Sequence, residues 1–415
     1  MLTRSGINVC QPFVLKKPFV REATWGRVMR RWNSIELLNN GSAVRLLATS
    51  ITTRDVLPKV INLYEGIKNG DRHSLAKAIT LVESTRRDHK FQSEQLLSTI
   101  LNKAAVSTRS RSHRSTFRIG LSGPPGVGKS TFLETFGMYI LSQGHRVAVL
   151  AVDPSSSRSG GSILGDKTRM PQLSNQENAY VRPSPSRGTL GTYLAMNNLS
   201  SLLDNIIDLL SPCMVARNTN EAIILCEAAG YDVCLVETVG VGQSETMVAE
   251  MVDMFVLMVP PAGGDEIQGL KKGIVEISDL VIINKSDGAF QGAAIQAMTE
   301  YTSALKYLQP NTPVWKPRVI RVSAKSNVGI KETWDIIQEY CNVMRESGQF
   351  EKRRGEQRKL WMWTQIKNEL MDRLKSDTAI RTMVEELEEK VFQGEMASGA
   401  AADYVVDRFT NKYRQ

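Results

Sequence analysis

Hydrophobic and polar positions divide the chain into three regimes. Between residues 51 and 106 the apolar side chains fall three and four apart: Val60, Leu63 and Ile67, then Leu75, Ile79 and Val82, then Leu96, Leu97 and Ile100. That spacing gathers them on single helix faces, and Asn69-Gly70-Asp71 punctuates the chain between the first two helices. From Thr116 the pattern changes to short β-rich runs, namely Phe117–Leu121, Arg146–Val152, Tyr231–Val236, Met254–Val259, Leu280–Ile283 and Val319–Val322, separated by helix-length segments. Such alternation predicts an α/β fold, a mostly parallel central sheet flanked by helices on both faces. Residues 346–415 return to helical, charge-rich sequence around Trp361-Met362-Trp363.

The expected organisation is therefore a leader over 1–50, a helical region over 51–115, an α/β domain over 116–345 and a helical region over 346–415. Ser107–Ser115, with Arg109, Arg111, Arg114 and His113, reads as a solvated hinge in preference to an anion site. The longest apolar runs, such as Met254–Pro261, fall far short of the ~20 residues a membrane span needs. Hydrophobic residues at 42% and charged residues at 23% exclude a largely disordered chain and point to a soluble protein.

A net charge of +9 raises the question of nucleic acid, and its distribution answers it. Arg4, Lys16, Lys17, Arg21, Arg27, Arg30, Arg31 and Arg45 oppose only Glu22 and Glu36 within residues 1–50, which accounts for +6. The remainder is nearly neutral, so no nucleic-acid surface is expected. The Arg-rich, acid-poor leader reads as a mitochondrial transit peptide, implying the matrix, with a basic tail as the alternative. Cys10, Cys213, Cys226, Cys234 and Cys341 show no CxxC spacing and suit a reducing compartment.

The chemistry begins at Gly123-Pro124-Pro125-Gly126-Val127-Gly128-Lys129-Ser130, followed by Thr131. This is G-x-x-x-x-G-K-[ST] between a predicted strand and a predicted helix, Thr131–Leu141, the context a phosphate loop requires. Its glycines let backbone N–H groups curl around phosphates at a helix N-terminus. Lys129 supplies a cation to the β- and γ-phosphates, and the Ser130 hydroxyl is a Mg²⁺ ligand candidate. Ligands gather at the carboxyl ends of parallel strands, where Asp153 and Glu237 follow predicted strands. Both are candidates to hold Mg²⁺ or its waters. The alternatives are a cap on the Pro154-Ser155-Ser156 turn for Asp153 and a plain surface acid for Glu237. Asp166, in Gly165-Asp166-Lys167-Thr168, is an open case between metal and surface.

Asn284-Lys285-Ser286-Asp287 follows another strand. A carboxylate at Asp287 accepts the N1–H and N2 amino donors of guanine, which adenine lacks, so the site favours GTP and GDP. Asn284 can donate to the other edge, and the Lys285 stem packs on the ring. Ser323-Ala324-Lys325 is a third base-contacting candidate, its backbone meeting the guanine oxygen.

The strings GPPGVGKSTF, AVDPSS, GDKTRM, ETVGVGQSE, PPAGGDE, NKSD and SAK, in this order, resemble the MeaB/ArgK-like GTPases, most closely their mitochondrial branch, over roughly residues 54–415. The resemblance implies a P-loop GTPase with a helical N-terminal part and a C-terminal dimerisation extension. It also implies a partner, the adenosylcobalamin-dependent methylmalonyl-CoA mutase, whose cofactor loading such proteins gate and which they protect from inactivation. By motif, Lys129 and Ser130 serve the phosphates and Mg²⁺, Asp153, Asp166 and Glu237 are acidic switch and metal residues, and Gly240–Glu245 is the second switch. Asp265 belongs to a third mobile element tied to the partner response, and it can also cap a helix before Ile267.

The chain departs from the family between Arg187–Gly191 and Thr219–Ile223, which the family joins almost directly. The atypical insertion, over 192–216, reads as a lineage-specific helix or a translated intron remnant. No D-x-H-x-x-G cobalamin signature surrounds His73, His89, His113 or His145, so that cofactor belongs to the partner. A kinase using the same P-loop is the alternative of a different class. Val241 follows Gly240 where Ras-like proteins place a water-orienting Gln, leaving Gln243 as the nearest substitute and predicting slow intrinsic hydrolysis. Trp361, Ile366, Leu370 and Leu374, with Trp363 nearby, form a stripe expected to contribute to a homodimer, with packing inside the chain's own domain as the alternative.

Overall fold

The computed structural model describes residues 57–84, 86–107, 116–152, 170–183, 217–238, 243–261 and 272–412. Three helices come first: α1 (Pro58–Lys68), α2 (Arg72–Val82) and α3 (Arg87–Ser107). Proline at the first turn starts α1, and Asp71 caps α2 by accepting from the N–H groups of His73 and Ser74 at 3.1 and 2.9 Å. The spacing noted in the sequence is borne out, since Val60, Ile67, Leu75, Ile79, Val82, Leu96 and Ile100 are all buried.

The sheet has seven parallel strands: β1 (Phe117–Ser122), β2 (Val147–Val152), β3 (Ala179–Pro183), β4 (Val233–Thr238), β5 (Met254–Val259), β6 (Leu280–Ile283) and β7 (Arg318–Arg321), in the order β3-β2-β4-β1-β5-β6-β7. Every residue of β2, β4, β5 and β6 is buried, which requires both faces to be covered. Alternation along each strand sorts side chains between two layers. Phe117, Ile119, Leu121, Val233 and Leu235 pack with α4 (Lys129–Ser142), the short α5 (Pro171–Ser174) and α10 (Ile330–Glu346). Cys234, Val236, Ala148 and Leu150 face the other way, into a core shared with α1–α3, α6 (217–228), α7 (Gln243–Ala249), α8 (Lys272–Glu276) and α9 (Gln291–Leu305).

All six runs read as strands are strands; Met254–Val259 and Leu280–Ile283 match end to end, and the other four have shifted ends. The largest shift is in β4, which begins at Val233 and runs through Glu237 and Thr238, so Glu237 lies inside the strand and is buried instead of following it. β3 was not anticipated. It is an edge strand of five residues containing Arg182 and ending in Pro183, a composition that carries little strand signal. Arg182 also anchors the N-terminal helices, donating to Glu83 and to the Ala76 carbonyl, while Arg72 donates to the carbonyls of Ser174 and Gln176.

Three helices close the chain: α11 (Gln349–Ser376), α12 (Thr378–Phe392) and α13 (Ser398–Lys412). At the amino ends of the strands, α11 is held by buried charge. Arg354 makes a two-pronged pair with Asp253, both contacts at 2.7 Å, and donates to the Thr116 carbonyl. Arg353 meets Asp279 at 3.2 Å and the Tyr340 hydroxyl at 2.8 Å. Burial raises Asp279 above the usual carboxylate range despite that neighbour. Trp361 lies in the core with α1–α3, so within the apolar stripe of α11 it serves its own domain, whereas Trp363, Ile366 and Leu370 are exposed. Among the described residues no helix is long and apolar enough to cross a membrane.

Candidate nucleotide site

The carboxyl ends of β1, β4, β6 and β7 carry the site. After β1 the chain turns through Gly123, Gly126 and Gly128, all at positive φ, and enters α4 at Lys129. Two of these glycines have no substitute. A Cβ at Gly123 would collide with the Met258 carbonyl oxygen, and one at Gly128 would lie 2.7 Å from Asn284 Nδ2. The loop N–H groups and the start of a 14-residue helix thus face one place, a ready anion site.

Lys129 is buried, and its Nζ donates to the carbonyls of Gly123 at 2.6 Å and Pro124 at 3.2 Å. The cation is stored against its own loop, within reach of any phosphate the loop holds. Ser130 Oγ donates to Glu237 Oε1 at 3.3 Å, joining the first turn of α4 to β4. Glu237 is only 4% exposed, which removes the surface-acid alternative. A hydroxyl and a carboxylate side by side are an all-oxygen donor set, which fits Mg²⁺.

The second half of the site is a joint between loops. Asn284, 2% exposed, donates one Nδ2 hydrogen to the Val127 carbonyl at 2.9 Å, and its Oδ1 accepts the Ala324 N–H at 3.3 Å. Lys285 adopts φ 58° and donates Nζ to the Gly126 carbonyl at 2.7 Å, laying its stem over the phosphate loop. The Asp287 carboxylate stays partly open, with Ser326 Oγ at 3.5 Å. Ser323 is buried and paired through its backbone with Val328, while Lys325 is exposed. The Ala324 carbonyl accepts from Thr135 Oγ1 of α4 at 3.1 Å. Ala324, in the segment whose backbone is the third base-contacting candidate, is therefore held through both its N–H and its carbonyl.

The structure brings together Gly123–Thr131, Glu237, Asn284, Lys285, Asp287 and Ser323–Lys325. Asp153, Asp166, Asp265, Gly240–Gly242, the leader, Arg109–Arg114 and the 192–216 insertion lie outside the described residues. Gln243 opens α7, but its side chain is likewise outside them. Sequence reasoning did not single out Thr135, or Ser122 at the end of β1. The only signal for Ser122 was its place immediately before the glycine loop.

A profile described as "Methylmalonyl Co-A mutase-associated GTPase MeaB" matches residues 75–206 and 213–379, most of the chain. The chain belongs to the MeaB family of GTPases. Its curated relatives include the mouse "Methylmalonic aciduria type A homolog, mitochondrial", 48% identical over 355 residues, 85% of this chain and 80% of that protein. A probable GTPase of Mycobacterium tuberculosis is 43% identical over 84% of this chain and 94% of its own length. The Escherichia coli GTPase ArgK is 42% identical over 74% and 84%. Among solved structures, one described as an "LAO/AO transport system kinase" superposes with a TM-score of 0.63 at 32% identity, covering 85% of this chain and 98% of its own. This MeaB-family chain is thus a P-loop GTPase that binds guanine nucleotide.

Proposed function

We propose that this GTPase acts on an adenosylcobalamin-dependent methylmalonyl-CoA mutase, gating cofactor loading and protecting the mutase from inactivation. The observation that carries the reading is the family match, whose description names a mutase-associated GTPase and whose matched segments include the phosphate loop, β4, the guanine loop and α11. The mitochondrial names of relatives in mouse and Caenorhabditis elegans, together with the basic leader, support the mitochondrial matrix as its location.

In this reading the N–H groups of Gly126–Thr131 cradle the phosphates, and Lys129 exchanges its two carbonyl partners for phosphate oxygens. Ser130 and Glu237 hold Mg²⁺ directly or through water, with Asp153 and Asp166 completing the acidic set. The ion, when bound, neutralises charge on the transferring phosphate. Asp287 accepts the two guanine donors, Lys285 covers the ring, and Asn284 with Ser323–Lys325 fixes the opposite edge. Phosphoryl transfer relies on positioning and charge stabilisation, and Val241 cannot orient a water. Basal hydrolysis is therefore slow and rises when the mutase engages Gly240–Glu245 and Gly263–Gln268, with Asp265 relaying the partner response. The exposed face of α11 with Trp363, Ile366 and Leu370 supports a homodimer.

Single-turnover GTP hydrolysis with and without the mutase tests this. Stimulation by the mutase, lost in Lys129→Ala and blunted in Asp265→Ala, is the expected result. Equal rates with and without the mutase refute the partner. A phosphorylated acceptor accumulating as GTP is consumed would instead favour a kinase, the activity for which the structural relative is named.

A further inference from the structure

Ser122, Thr238 and Glu245 are completely or almost completely buried and come from three elements: the end of β1, the end of β4 and the first turns of α7. Thr238 Oγ1 donates to Ser122 Oγ at 2.9 Å, and Ser122 Oγ donates onward to Glu245 Oε1 at 3.1 Å. One hydroxyl thus accepts from the last residue of a strand and donates to the helix that follows it.

Strand alternation explains why these residues can meet. Glu237 and Thr238 are neighbours on β4 and point to opposite faces. Glu237 faces α4 and takes the Ser130 hydroxyl, while Thr238 faces the layer that holds α7. Ser122 faces the same layer, two residues beyond Gly120. Gly120 lets α7 come close, because a Cβ there would lie 2.8 Å from Val248 and 2.9 Å from Val252. Each strand end therefore carries one residue for the nucleotide side and one for the α7 side. Ser122 adjoins Gly123, whose carbonyl holds Lys129, and Thr238 adjoins Glu237.

We propose that Ser122 is a positioning residue for GTP hydrolysis: its hydroxyl fixes the start of the phosphate loop, the end of β4 and the second switch helix in one register. The proposal rests on the GTPase reading of the same site. Ser122 touches no substrate. It acts by keeping Glu245 and Thr238, and through them Glu237, in place relative to Lys129. Losing the hydroxyl lets α7 shift against the phosphate loop without emptying the base site, which is built from Asn284, Lys285 and Asp287 in the loop after β6.

The test uses the full chain and the variants Ser122→Ala, Thr238→Val, Glu245→Gln and the double variant Ser122→Ala/Thr238→Val. Thr238→Val is nearly isosteric and removes only the donated hydrogen, whereas Glu245→Gln keeps an acceptor oxygen. Ser122→Ala and Thr238→Val should each lower kcat about 3- to 10-fold, the weight of one ordinary hydrogen bond. KM and the affinity for a fluorescent GDP should stay within about two-fold, since uniform binding is untouched. The double variant should be no slower than Ser122→Ala, because both act through one hydroxyl, and Glu245→Gln should keep most of the rate. Unchanged kcat in Ser122→Ala overturns the proposal. So do multiplicative losses in the double variant, or a loss of kcat matched by GDP affinity and melting temperature, which marks a purely structural role. Wild-type protein that hydrolyses no GTP would overturn the GTPase reading itself.

Discussion

Replacing Arg354 with Met isolates the joint between the C-terminal helices and the sheet. The guanidinium gives three hydrogen bonds, two to Asp253 and one to the Thr116 carbonyl, all at 2.7 Å. It also lies over the Phe350 ring, 4.5 Å from its centroid, a cation–π contact in whose place a Met side chain keeps only the packing on the ring. The loss is then electrostatic. Asp253 is 2% exposed and would retain the Arg118 N–H at 2.8 Å, one donor for a buried carboxylate. Removing one partner of such a pair costs about 3–5 kcal/mol, chiefly because the other charge is stranded. Against a total stability of about 5–15 kcal/mol that is a large fraction. The double variant Asp253→Asn/Arg354→Met removes the stranded charge as well and should be more stable than Arg354→Met. The nucleotide site lies at the other end of the strands, roughly 20 Å away along six residues at about 3.3 Å each. GDP affinity of the folded protein should therefore hold. Urea unfolding followed by tryptophan fluorescence, alongside GDP titration, measures both. An Arg354→Met variant within about 1 kcal/mol of wild type, or a double variant less stable than the single, refutes the reasoning.

Asp287→Asn should weaken GTP binding by about 1.5–3 kcal/mol, the value of hydrogen bonds to a charged group, and improve binding of xanthosine nucleotides. Unchanged GTP affinity in a titration removes Asp287 from the base site. Burial outweighs Arg217 and raises the Glu221 pKa, so folding takes up a proton and wild-type stability gains on Glu221→Gln as pH falls from neutral through that raised value. Urea titrations at neutral and mildly acidic pH check the sign, and the opposite trend rejects it. If the exposed face of α11 forms the proposed homodimer, Trp363→Glu/Leu370→Glu should convert it to monomer in light scattering with the melting temperature little changed. A persistent dimer places the interface elsewhere.

The candidate nucleotide site was legible because the motifs that compose it are local. The glycine loop and the Asn284–Asp287 string each carry their own spacing, and six of seven strands announce themselves as apolar runs bounded by turns. What stayed hidden was set by contacts between distant segments. Nothing near Asn284 says that its amide will meet Val127 and Ala324, which are 157 and 40 residues away. Nothing near Ser122 says that Thr238 and Glu245 will converge on its hydroxyl. β3 escaped for another reason, since an edge strand needs fewer apolar positions and can carry Arg182 and Pro183.

The α11 stripe shows how a correct period can hide two faces. At about 100° per residue, Trp363, Ile366, Leu370 and Leu374 lie at roughly 200°, 140°, 180° and 220° from Trp361 around the helix axis. They form one narrow band opposite it, and Trp363, Ile366 and Leu370 are exposed while Trp361 is buried. The inner face is Arg354, Gln357 and Trp361, spaced three and four, with Gln357 Nε2 donating to the Val252 carbonyl at 2.8 Å. A hydrophobic pattern cannot see that face, because two of its three residues are polar and are buried only by virtue of their partners on the sheet. Both faces follow helical spacing, but they answer to different neighbours. The inner one is fixed by Asp253 and Val252 at the start of β5. The outer one has apolar surface left over after the chain's own core is complete, and that surplus is the physical ground for expecting a second copy there.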